Sequence, residues 1–228
     1  MKAIILKNYK KLICMSDEIV FAKQNKIPIV GLESTIITHG MPFPDNFKTA
    51  IEAENLIRNT GAIPATIAVI NGQIKVGLSK EEINELSRSK TVEKLSTNNF
   101  SMAIAKKQTG STTVAATLLV TKAANISVFA TGGIGGAHRD SNNNFDISAD
   151  LRQLAVTPVN VVCAGPKAIL DIPKTIELLE SFGVPVITYQ NTTIPAFWSR
   201  DSGLNSPIVA ETVEEIVQSY KIRTHMGS

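Results

Sequence analysis

The chain has 228 residues, 43% hydrophobic and 19% charged, with a formal net charge of +3. That is long enough to bury a full core and has the composition of a globular protein, not of a disordered or collagen-like one. Scattered lysines, few aromatics and no basic stripe exclude nucleic-acid binding, and no run of eighteen apolar residues exists to span a membrane.

From the start, Met1 to Met15 is broken by Asn8-Tyr9-Lys10-Lys11 and makes a poor secretory leader. Cys14 and Cys163 lie far apart, without a disulfide framework or zinc spacing, so the expected setting is the reducing cytoplasm. Ile27 to Leu32 reads as a strand ending at Glu33. Asp45 to Asn59 reads as a helix capped by Asp45, with Ala50, Ile51, Ala53, Leu56 and Ile57 as its buried stripe and Gly61 as its stop. Ala65 to Ile70 and Gln73 to Leu78 flank Asn71-Gly72, a two-residue hairpin signal. Ser79 and Glu82 form a capping box for a helix to about Arg88. Thr112 or Thr113 opens an apolar helix through Ala124. Strand Ile126 to Ala130 runs into Thr131-Gly132-Gly133-Ile134-Gly135-Gly136, and Ser141 to Asn144 reads as loop. A short helix over Leu151 to Ala155, strand Val159 to Cys163, a helix near Lys174 to Ser181 and strand Val184 to Tyr189 continue the alternation. Glu211 to Tyr220 is an amphipathic helix, and residues 221–228 read as a trailing, non-native tail. The alternation predicts an α/β protein, a three-layer α/β/α sandwich with a mostly parallel central sheet, as one domain over residues 1–220.

Several residues in this frame could carry chemistry. Glu33 stands at a strand's C-terminal edge beside Ser34-Thr35, where it either moves protons or bonds loop amides. Gly110-Ser111-Thr112-Thr113 offers hydroxyls and amides suited to phosphate, or caps the helix. Lys94 is either a cation for the same anion or a solvated lysine. The glycine run lacks the strand-GxGxxG-helix unit of dinucleotide binders. It either brings amides to an anion or makes a tight turn with positive φ, and His138-Arg139 after it either touches substrate or bonds the loop. Asp146 and Asp150, four apart, would stack on one helical face, a costly pairing without a cation or a task. Asp150 or Ser148 could instead cap the following helix. Lys167, after an apolar strand and a Gly-Pro turn, is either an amine nucleophile or a solvated charge. His39, His138 and His225 show no ligand spacing. Clustered carboxylates favour a hard ion, Mn²⁺ or Mg²⁺, over zinc, with Asp146 the best ligand and water filling most of its shell.

Four segments carry a more specific signal: Gly31-Leu-Glu-Ser-Thr-Ile-Ile-Thr-His-Gly-Met-Pro-Phe-Pro44, Thr131-Gly-Gly-Ile-Gly-Gly-Ala-His-Arg139, Phe145-Asp-Ile-Ser-Ala-Asp-Leu151 and Val161-Val-Cys-Ala-Gly-Pro-Lys167. In this order they resemble the pseudouridine-5′-phosphate glycosidase family, also called pseudouridylate synthase or indigoidine-synthase-A-like, from about Ile27 to about Trp198. The resemblance implies reversible cleavage of the C–C glycosidic bond of pseudouridine 5′-phosphate to uracil and ribose 5-phosphate, a Mn²⁺-type ion and a homotrimer. It implies Lys167 as nucleophile at C1′, forming an imine, and Glu33 as proton donor. Asp146 would be the metal contact. Ser148, Ala149 and Asp150 would line the substrate, with Asp150 also shuttling protons, and Lys94, Thr113 and Val114 would hold the phosphate end. The family's usual C-terminal segment finds no match after Trp198, so the alternative expectation is a catalytically degenerate sugar-phosphate-binding or structural module.

Overall fold

The computed structural model describes residues 12–227, which divide into two units meeting at Ala130–Thr131. Residues 1–11, most of the segment read as a poor leader, and Ser228 lie outside the described residues. No helix among the described residues is long and apolar enough to cross a membrane.

The first unit is built around β3 (Ile63–Ile70), whose sequence is apolar almost throughout because both of its faces are covered. Its first half pairs in parallel with β2 (Ile29–Leu32). Its second half pairs antiparallel with β4 (Gln73–Val76) and β6 (Gly110–Thr112). The Asn71-Gly72 hairpin forms as expected, with φ +52 and +77 at the two turn residues, the left-handed pair that matches strand twist. Parallel pairings of β1 (Ile13–Met15) with β4, β2 with β7 (Val128–Ala130), and β5 (Glu93–Leu95) with β6 extend the sheet within this unit. The sheet is therefore mixed and mostly parallel.

Alternation along β3 sends its side chains to two cores. Ile67 and Val69 pack with Leu95, with Ile19 of α1 (Asp17–Gln24), Phe100 and Ala103 of α4 (Phe100–Ala105), and Ala116 and Val120 of α5 (Val114–Ala123). Ala68 packs on the other face with Ile37, with Ala50 of α2 (Asp45–Asn59), and with Ile83 and Leu86 of α3 (Lys80–Arg88). Helices thus cover both faces of the sheet, the α/β architecture that the alternation of elements predicts.

The second unit contains β8 (Asn160–Val162), a single helical turn α6 (Ser141–Asn144), α7 (Ala149–Val156), α8 (Ile172–Ser181) and α9 (Val213–Met226). A separate parallel pair joins β9 (Ile187–Tyr189) to β10 (Ile208–Ala210). Leu151 of α7 and Leu179 of α8 are buried, as are Ile134, Ala137, Leu170 and Ile194 from the connecting segments.

Several local expectations change. Asp45 is the first helical residue, not the cap: Pro44 precedes it and no side chain caps the end. The buried stripe of α2 is Asn46, Ala50 and Glu54, while Leu56 is 62% exposed. The helix turns its polar side chains inward because partners wait there. The Asn46 amide donates to the Ile37 and Ser87 carbonyls, and the Thr66 hydroxyl donates to Glu54 at 2.5 Å. Ser141–Asn144 is a helical turn, closed by the Asp140 carbonyl accepting from Asn143 and Asn144. The final helix runs on through residues 221–226 to a left-handed Gly227, with Arg223 and His225 at the end where cations suit the helix dipole.

Burial pushes the Glu54 carboxyl above its ordinary value, against the Thr66 hydrogen bond and the Arg58 charge. An acid raised in the folded state favours folding below its unfolded pKa near 4.5, and that advantage is lost as pH rises toward the folded value. Glu54→Gln carries no charge at any pH. Its stability relative to the parent, measured by urea unfolding, should therefore be more favourable at pH 7 than at pH 4; an equal difference at both would contradict this.

Candidate functional site

Glu33 follows β2 directly and is half-buried. The chain after it is fixed by a ladder of buried hydroxyls. Ser34 Oγ donates to the Ile67 carbonyl at 2.6 Å and accepts from the Thr112 N–H at 2.9 Å. Thr35 Oγ1 donates to the Thr112 carbonyl, Thr112 Oγ1 donates to Ile67, and Thr117 Oγ1 donates to Thr112 Oγ1. A π-helical turn follows at Ile36–Gly40, and there Thr38 donates to Ser111 Oγ at 2.7 Å and lies 2.6 Å from His39 Nδ1. Sequence reasoning did not find this ladder. Its signal was present in the two hydroxyl runs, Ser34-Thr35 and Ser111-Thr112-Thr113-Val-Ala-Ala-Thr117.

The same ladder orders Lys94, Thr113 and Val114. Lys94 is exposed on β5 and pairs in register with Ser111, one strand over. The Thr113 N–H donates to the Leu95 carbonyl at 2.9 Å, and its side chain caps α5 by accepting from Ala116. Val114 is only 1% exposed, so what it can present to a ligand is its main-chain N–H in the first turn of the helix. In this unit the structure brings Lys94 and the start of α5 together on adjacent strands.

In the second unit the glycine run does something neither sequence reading anticipated. None of Gly132, Gly133, Gly135 and Gly136 has positive φ. Gly133, Gly135 and Gly136 are instead places of close approach. A Cβ on Gly135 would lie 2.3 Å from Ser148 Oγ and 2.7 Å from Asp150 Oδ2; one on Gly136 would lie 2.3 Å from Thr175 Oγ1. The absence of side chains lets the Gly135 N–H donate to Asp150 Oδ2 at 2.8 Å, and lets the Gly136 carbonyl accept from the Ser148 N–H at 3.0 Å. Ser148, not Asp150, caps α7, accepting from the Asp150 N–H at 3.2 Å. Ala149 is exposed as the first residue of that helix, and Asp150 is 5% exposed.

Lys167 reaches the same loop from the other side. Its N–H donates to the Ile134 carbonyl at 3.0 Å, the Ile134 N–H donates to the Gly165 carbonyl, and Ile134 and Pro166 form an isolated parallel bridge. Lys167, Ser148 and Asp150 are thus anchored on three consecutive residues, Ile134 to Gly136. Gly165 makes this segment possible: its φ is +89, and a Cβ there would sit 2.1 Å from the Pro195 carbonyl oxygen. Nearby, burial raises the Cys163 thiol above its ordinary range, partly offset by hydrogen bonding from the Gly165 and Ile134 backbone.

Asp146 stands apart from Asp150. It precedes α7, so the two carboxylates do not stack on one helical face, and its side chain is 60% exposed. Its carbonyl accepts from the His138 N–H at 3.0 Å, next to the Ala137–Ile147 bridge, and its carboxylate lies 3.9 Å from His138 Nδ1. Among the described residues no group of three or more His, Cys, Asp or Glu is arranged to hold a metal ion. One exposed carboxylate suits a largely hydrated hard ion such as Mn²⁺ or Mg²⁺, which keeps most of its water shell.

These features define an α/β protein with an anion-suited helix start and a lysine and a carboxylate held on one glycine loop. Residues 18–228 match the model of the indigoidine synthase A like protein family, beyond the resemblance seen between Ile27 and Trp198. The chain is 55% identical over 206 residues to a pseudouridine-5′-phosphate glycosidase of Solibacter usitatus, covering 90% of this chain and 69% of that protein. Two solved structures are similar, each with a TM-score of 0.86. One is an indigoidine synthase A-like protein of Thermotoga maritima, 30% identical and covering 95% of this chain and 70% of that one. The other is the prealnumycin C-glycosynthase in complex with ribulose 5-phosphate, 36% identical and covering 93% of this chain and 68% of that one. The chain belongs to the indigoidine synthase A like family.

The close contact at Gly165 is testable against Gly183, which also has positive φ, +69, but nothing within 4 Å of an added Cβ. Gly183→Ala should cost about 1–2 kcal/mol, the penalty for a left-handed L-residue. Gly165→Ala should cost at least about twice that, because backbone overlap adds to the strain. Equal losses in urea unfolding would show that Pro195 gives way freely.

Proposed function

We propose that this chain cleaves the C–C glycosidic bond of pseudouridine 5′-phosphate, reversibly, to give uracil and ribose 5-phosphate. Its 55% identity over 90% of its length to a pseudouridine-5′-phosphate glycosidase supports the activity. The observation that carries the chemistry is the shared anchoring of Lys167 and Asp150 on Ile134 and Gly135. A similar protein's complex with ribulose 5-phosphate supports a sugar phosphate as ligand.

A C–C glycosidic bond has no leaving heteroatom to protonate, so the two-carboxylate scheme of ordinary glycosidases does not serve. A lysine does. As C1′–O4′ breaks, the ring oxygen takes a proton and the Lys167 amine adds to C1′. Uracil C5 then takes a proton, and the C1′–C5 bond breaks as the nitrogen lone pair forms the C1′=N imine. Water hydrolyses the imine, freeing ribose 5-phosphate and the amine. Covalent catalysis of this type divides one hard step into easier ones. Glu33 supplies the proton, and Asp150 shuttles protons while Ser148 and Ala149 line the substrate. Lys94, Thr113 and the Val114 amide hold the phosphate, matching a cation and a helix N-terminus to a dianion.

Asp146 would hold a Mn²⁺ or Mg²⁺ ion, which when bound supplies positive charge beside substrate oxygens. The thiols of Cys14 and Cys163 are free, in keeping with a cytoplasmic site of action. A homotrimer is the assembly this reading assigns, as the family resemblance implies.

Uracil release from pseudouridine 5′-phosphate tests the reading. The wild-type chain should release uracil faster with added Mn²⁺, and Lys167→Ala should lose at least about a thousandfold, the scale of removing a catalytic nucleophile. Binding of ribose 5-phosphate by a wild-type protein that releases no uracil would instead leave a sugar-phosphate-binding module.

A further inference from the structure

We infer that Phe197 and Trp198 form a platform on which the pyrimidine base of the substrate stacks. This rests on the substrate proposed above.

Phe197 holds a left-handed backbone, φ +58, a conformation that bulky L-residues rarely adopt. Such strain persists only where surrounding contacts fix it, and it collects at ligand clamps. Here the contacts are specific. The Phe197 N–H donates to the Ala164 carbonyl at 2.9 Å, and the Ala196 N–H donates to the Ser199 carbonyl at 2.8 Å, closing a tight turn around the aromatic pair. The Phe197 ring lies over the start of the glycine run, where a Cβ on Gly133 would sit 2.6 Å from it and one on Gly132 would sit 3.4 Å away. The glycines therefore make room for a ring at one end of the run and for Ser148 and Asp150 at the other.

The strained turn leaves Trp198 85% exposed, edge-to-face against Phe197 with ring centroids 4.6 Å apart and planes at 76°. Phe197 braces the indole, most of whose surface stays open to a flat ligand. The Ala164 carbonyl that fixes this pair is three residues before Lys167, in the segment that bridges to Ile134.

Substrate chemistry supplies the occupant. In a C-nucleotide the base is bonded directly to C1′, the carbon the Lys167 amine attacks. The base plane must therefore lie beside the lysine segment, where the aromatic pair stands. Every pyrimidine has a π-face, so an indole can take it without hydrogen-bond readout. The platform holds the base while C5 takes its proton, and it releases uracil as a neutral product.

Trp198 is the single tryptophan of the chain, so its emission reads the site directly. Titration of the wild-type protein with uracil should quench that emission saturably, whereas ribose 5-phosphate alone should leave it nearly unchanged. Trp198→Ala should raise KM for pseudouridine 5′-phosphate on the order of tenfold with kcat little altered, and Trp198→Phe should stay within about threefold of wild type, as loss and retention of one stacking surface require. An emission that ignores uracil, with wild-type KM in Trp198→Ala, would overturn the platform while uracil release by the wild type leaves the activity standing. Quenching by uracil in a protein that releases none would support the platform and reject the turnover.

Discussion

One peptide unit, the one joining Ile134 to Gly135, bears the constraint on which the second unit depends. The Ile134 carbonyl takes the Lys167 amide and the next N–H takes the Asp150 carboxylate. The Lys167 backbone and a buried carboxylate are thereby fixed to the same short stretch of chain. Any side chain at Gly135 would occupy the space of Ser148 Oγ and Asp150 Oδ2, so the hydrogen bond exists only because the residue is glycine. A charge-assisted bond of this kind to a nearly buried carboxylate is among the stronger ones a protein makes. It holds one carboxylate oxygen at a defined place on the glycine loop.

The first unit reaches a similar rigidity by a different route. Ser34, Thr112 and Thr117 are fully buried hydroxyls that would be costly without partners. They bond to one another and to the Ile67 carbonyl, tying the loop after Glu33 and the start of α5 to the central strand. Leu95 and Thr113 extend the tie to the strand that carries Lys94. Glu33, Lys94 and Thr113 are therefore set on or beside strands and helices whose own positions are determined by a hydrophobic core on each face of β3.

What could be read from the chain depended on how local its cause was. The Asn71-Gly72 turn and the Ser79–Glu82 box declare themselves in four residues, and both formed. The family resemblance was legible because long motifs keep their order. Strands β1, β5 and β6 were not legible: each has three residues, too few for an alternating pattern, and exists only because a neighbour pairs with it. The helix α2 showed an apolar stripe, yet it buries Asn46 and Glu54, whose partners lie 9 to 41 residues away in sequence. The glycine run looked like a turn or an anion cradle, since a sequence shows no sign of what will press against a missing Cβ. Asp146 and Asp150 looked paired by spacing, and the helix that would have paired them starts only at Ala149.

The proposed cleavage turns on Lys167 becoming covalently joined to the sugar carbon. The direct measurement is reduction with borohydride during turnover of pseudouridine 5′-phosphate, followed by peptide mapping. A stable ribose-phosphate adduct should appear on the peptide containing Lys167 and be absent without substrate. An adduct on another lysine, or turnover that borohydride never traps or slows, would contradict it.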